Sequence, residues 1–81
     1  MKCFVYRSAK KTDTYLYLSE QDNVSVLPND LKNLLGKIEY TLELNLDKTP
    51  KLANAEVDQV ISSLRSRGYY LQLPKEHHIS E

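Results

Sequence analysis

Residues 38 to 46, Ile38-Glu39-Tyr40-Thr41-Leu42-Glu43-Leu44-Asn45-Leu46, alternate apolar and polar side chains without a break. A period of two belongs to a strand with one face in a core and the other in water. Ile38, Tyr40, Leu42, Leu44 and Leu46 form the inward set, and Glu39, Thr41, Glu43 and Asn45 the outward one. With one face of this strand wet, the helices of the domain are expected to share the other, giving two layers. A three-layer sandwich ranks second, because it would bury Glu39 and Glu43, which is costly without partners.

Upstream of this stretch, Leu27, Leu31, Leu34 and Leu35 fall at helical spacing, Pro28 suits the first turn and Gly36 the stop, so a short helix is predicted over 27–35. Earlier still, Cys3 to Arg7 and Thr14 to Ser19 are rich in Val, Tyr, Phe and Leu and read as strands joined by the polar link 8–13, a hairpin. Leu16 and Leu18 share one face of the second strand, and Tyr15 and Tyr17 the other. Downstream, residues 47–51 with Pro50 make a connection, and Asn54 is placed to cap a second helix with the stripe Val57, Val60, Ile61, Leu64. Arg65 and Arg67 complement its last turn, Gly68 ends it, and Tyr69 to Leu73 form a last strand stopped by Pro74.

The expected fold is therefore α+β (α/β), in the order strand-strand-helix-strand-helix-strand. It has one four-stranded mixed sheet with both helices packed on one face and a core of Leu42, Leu44, Val57, Val60, Ile61, Leu64 and Leu71. Residues 1–74 are expected to form a single domain and 75–81 a polar, dispensable tail.

The 81 residues are enough for one core and too few for two. A chain this size buries only about 60% of its unfolded surface, so little apolar material is left to line an internal ligand cavity. Eleven Lys and Arg balance eleven Asp and Glu, which disfavours binding to nucleic acid or anionic membrane through overall charge. One cysteine, Cys3, allows no intramolecular disulfide and fits a reducing compartment; no apolar run is long enough for a membrane span or a signal peptide. A cytoplasmic location is expected, with no membrane partner.

The residues that usually carry chemistry are sparse. His77 and His78, the only histidines, stand side by side in the tail, far from any nucleophile for them to activate. With Cys3 at the other end of the chain, they make no metal site. Gly36 and Gly68, the only glycines, each follow a helix, so no phosphate-cradling loop exists and no small-molecule cofactor is expected. Glu39 and Glu43, on one face of a regular strand, would stand roughly 13 Å apart. That is wide for a glycosidase pair, which needs about 5 to 9.5 Å. The most suggestive set is Arg7, Lys10 and Lys11 near Tyr15 and Tyr17, since tyrosines on an open sheet face stack bases while basic side chains hold phosphates. Tyr70 and Gln72 would join that face.

Taken together, Tyr6-Arg7-Ser8, Lys10-Lys11, Thr14-Tyr15-Leu16-Tyr17, Leu27-Pro28 and Gly68-Tyr69-Tyr70-Leu71-Gln72-Leu73-Pro74 give the chain a known look. It resembles the YcgL domain family of Gram-negative bacteria from about residue 3 to residue 74. The resemblance implies a compact α/β domain of the bacterial cytosol with no established activity and no catalytic residues to carry over. The leading expectation is a non-catalytic module that binds a protein partner through an open sheet face or edge, because tyrosine is favoured in interface anchors. RNA binding through the Lys, Arg and Tyr patch is the alternative, and a small enzyme using Arg7 on an anionic substrate stands third.

Overall fold

The computed structural model describes residues 1–48 and 57–74. Strand β1 (Lys2–Ser8) turns into β2 (Tyr15–Leu18); a single 3-10 turn (Val24–Val26) leads to helix α1 (Asn29–Leu35); then follow β3 (Ile38–Asn45), helix α2 (Val57–Arg67) and β4 (Tyr69–Gln72). The element order matches the sequence reading. The Asn54 cap, the far half of the loop with Pro50 and the tail 75–81 lie outside the described residues.

Local chemistry explains the boundaries. In the β1–β2 hairpin the Ser8 N–H donates to the Thr14 carbonyl at 3.0 Å. The buried Ser8 hydroxyl accepts from the Lys10 and Lys11 amides at 3.2 and 2.9 Å and donates to the Leu35 carbonyl at 2.6 Å. One side chain thus orders the hairpin loop and fastens it to the end of α1. Gly36 stops α1 at φ 62° and ψ −138°, a conformation nearly closed to residues with a side chain, and a Cβ there would lie 3.2 Å from the Cβ of Lys10. Gly68 ends α2 at φ 86°, donating to the Leu64 carbonyl at 3.0 Å.

The sheet has the order β3-β1-β2-β4, and each neighbouring pair is antiparallel, so it is not the mixed sheet expected. Nor do the helices share a face. Cys3, Val5, Tyr17 and Leu46 pack with Val60 and Leu64 of α2, whereas Tyr6, Leu16 and Leu18 pack with Leu27 and Leu35 on the α1 side. Residues of opposite parity on β1 and β2 therefore feed two different cores, and one helix covers each face of the central strands.

The cause of the misreading sits in β3. Its register on β1 pairs Val5 with Leu42 but Tyr6 with Tyr40, so Thr41 is an extra residue, a bulge. Directly paired residues share a face. Ile38 and Tyr40 consequently lie on the α1 side, while Leu42 and Leu44 lie on the α2 side. The unbroken alternation in sequence is interrupted in space. Glu39 pairs with Arg7 and Glu43 with Phe4, so the two carboxylates are on opposite faces and are not the same-face pair the sequence implied. Because β3 is an edge strand, Glu39, Tyr40, Thr41, Leu42 and Glu43 are all exposed, and the cost charged to a helix on each face does not arise.

The expected core is corrected accordingly. Leu44, Val57, Val60, Ile61 and Leu64 do pack together, but Leu71 belongs to the α1 side and Leu42 is 41% exposed at the rim.

Candidate functional site

The tyrosine face expected to be open is covered. Tyr17 is 5% exposed beneath α2, and its hydroxyl donates to Oε1 of the buried Gln72 at 2.6 Å. Burial pushes the Tyr17 hydroxyl up to about 12. Tyr70 meets the Tyr17 ring edge-on at 5.8 Å, and both Tyr70 and Tyr15 pack half-buried against the α2 core. Tyr17, Tyr70 and Gln72 are thus structural members of that core and form no stacking platform.

The basic residues diverge. Arg7 is exposed and donates through Nη2 to Glu39 Oε1 at 2.9 Å, and this contact holds the guanidinium's pKa above its ordinary value. It shares with Tyr15 a shallow cleft of about 340 Å³ that also contains Asp13 and Glu39. Lys10 leans the other way, with its stem against Gly36 and Nζ 3.4 Å from the Asn33 carbonyl of α1. Lys11 is exposed. Of the seven residues singled out in sequence, the fold gathers Tyr15, Tyr17, Tyr70 and Gln72 on the α2 side, sets Arg7 beside Tyr15 in company with two carboxylates, and leaves Lys10 and Lys11 apart.

Cys3 is fully buried in the α2 core, and desolvation pushes its thiol up to about 11. Iodoacetamide at pH 8 is therefore expected to leave the folded protein unlabelled and to label it after unfolding in urea, as read by intact mass. Rapid labelling of the folded form would contradict this placement.

A feature missed in sequence lies along the outer edge of β4. The Ser19 N–H donates to the Gly68 carbonyl at 3.1 Å, and the β2–β4 register then turns the backbone groups of Gly68, Tyr70 and Gln72 toward β2. By alternation the N–H and C=O of Tyr69 and Leu71 point away from the sheet, and no described residue bonds them. This edge is the floor of a trough of about 460 Å³, walled by Leu31 and Leu34 of α1 on one side and by Ser63 and Arg67 of α2 on the other. Leu34 is 39% exposed although it sits on the apolar stripe of α1. Arg67 brings its guanidinium to 6.0 Å from the Tyr69 ring centroid, and no described carboxylate pairs with it. The sequence does hold a trace of the trough: the α1 stripe has one more leucine than the core of so short a helix uses.

Among the described residues no three His, Cys, Asp or Glu side chains gather as a metal site would require, and no helix is long and apolar enough to cross a membrane. The fold and its surface define a small antiparallel α+β domain whose distinctive exposed feature is backbone at a sheet edge.

By descent the chain belongs to the YcgL domain family, whose model matches residues 3–75. It is 42% identical over 77 residues to a YcgL domain-containing protein of Thioalkalivibrio sulfidiphilus, covering 95% of each chain. Protein YcgL of Escherichia fergusonii is 43% identical over 74 residues, 91% of this chain and 76% of its own. A putative HAD-like hydrolase of Nitrosococcus oceani is 44% identical over 71 residues, which make up 88% of this chain but 19% of that protein. The family resemblance noted in the sequence is borne out.

Proposed function

We propose that this protein is a cytoplasmic, non-catalytic binding module that engages a protein partner through an edge of its sheet. The observation that supports this most is the outer edge of β4, which no described residue bonds, at the floor of a walled trough. A face is a poorer candidate, since one helix covers each side of the central strands. The Nitrosococcus oceani relative adds support: a domain carried as 19% of a longer polypeptide is one that works in company. RNA binding has less behind it, because Tyr17 and Gln72 bond each other in a core and Arg7 is neutralised by Glu39.

Photo-crosslinking in a living bacterial cell tests the reading. A photoreactive residue at Leu34, beside β4, or at Thr41, on β3, is expected to yield discrete protein adducts, and one at Asp13 in the hairpin loop is not. Adducts to RNA alone, or none from either edge, would overturn it.

A further inference from the structure

We infer that the β4 trough takes one extended segment of a partner protein as a fifth strand, and that the segment reads apolar, acidic, apolar along its length. This rests on the edge-binding reading above and names the partner chemistry.

The backbone of Tyr69 and Leu71 offers two N–H donors and two C=O acceptors facing outward, the pattern with which a neighbouring strand pairs. A strand added there lies about 4.8 Å from β4, and its side chains alternate between the two walls. On the α1 side they meet Leu31, Leu34, Tyr69 and Leu71, an apolar surface. On the α2 side they meet Ser63, the half-buried Tyr70 and Arg67, whose guanidinium reaches over the edge to 6.0 Å from the Tyr69 ring centroid and which no described carboxylate neutralises, whereas Arg7 and Lys2 are each paired with a glutamate. An acidic side chain is the complement of that wall. Asp30, at the start of the α1 wall, keeps a second carboxylate off the apolar side. The two helical walls also favour a lone segment over a second copy of this chain, whose own β4 would arrive flanked by another α1 and α2.

The test uses the full chain labelled with 15N and two synthetic peptides, acetyl-Thr-Val-Glu-Val-Thr-amide and its counterpart with Lys in place of Glu. The Glu peptide is expected to shift the Tyr69 and Leu71 amides and to slow their hydrogen exchange, while the Lys peptide does so at least about tenfold more weakly. Arg67→Glu, at an exposed position, is expected to reverse that preference. Leu71→Pro removes one outward N–H at an edge position and is expected to abolish the response. Should that variant unfold, the charge reversal at 67 still decides the matter. An unchanged preference in Arg67→Glu, or shifts that bypass β4, would overturn the inference. If that happens while crosslinks at Thr41 still capture protein, edge binding stands and the edge is β3; if both edges fail to crosslink, the parent reading falls with it.

Discussion

Leu16→Ala is expected to destabilise the protein by about 2 to 5 kcal/mol, the range for emptying a leucine-sized site in a core. Leu16 is 0% exposed, sits on a central strand between Tyr6 and Leu71, and packs on the α1 side. In a domain of this length each kcal/mol lowers the melting temperature by about 4 to 8 °C, so a fall of roughly 10 °C or more is expected in a thermal melt. Leu42→Ala is the comparison. With 41% exposure at the edge it is expected to cost under about 1 kcal/mol. Equal losses from the two would return Leu42 to the core and undo the bulge-based account of β3.

Ser8→Ala is the second substitution with a large expected effect. It strips one hydroxyl and leaves the Lys10 and Lys11 amides and the Leu35 carbonyl without their partner. Unsatisfied groups of this kind cost about 1 to 3 kcal/mol. Because the hydroxyl joins the hairpin loop to the end of α1, hydrogen exchange should quicken at Lys10 and Lys11 and in the last turn of α1 before it quickens in α2. Exchange that rises evenly across the chain would mean the hydroxyl stabilises the whole fold and has no special hold on this junction.

The contrast between these sites marks how far the sequence could be read. Elements were legible because their signals are local: Gly36 and Gly68 stop the helices where expected, and the hairpin falls between Ser8 and Tyr15. The layer arrangement was not, because the choice leaned on β3, where a single unpaired Thr41 changes the phase of an unbroken alternation. A better guide stood elsewhere. Cys3-Phe4-Val5-Tyr6 and Tyr15-Leu16-Tyr17-Leu18 are apolar on both faces, which is how strands covered on both sides read.

The candidate site was misjudged for a related reason. Tyrosine serves equally as an exposed anchor and as a core residue with a satisfied hydroxyl, and only the partner tells them apart. Gln72, which accepts from Tyr17, is fifty-five residues away in sequence, so nothing local could announce the bond. The β4 edge escaped notice because it is made of backbone, to which a reading of side chains is blind.

An antiparallel sheet with two open ends is a template that can lengthen in both directions. At β3 the bulge at Thr41 breaks the register a second copy would need, and Glu39 and Glu43, matched to Arg7 and Lys2, place a charged pair on each face. Polymer growth therefore finds no purchase there. If β4 is the one receptive end, as inferred above, the molecule takes up one strand and stops, and its complexes have a stoichiometry of one to one for each segment offered. A partner bearing several such segments would gather several copies of this domain side by side and would not seed a fibre.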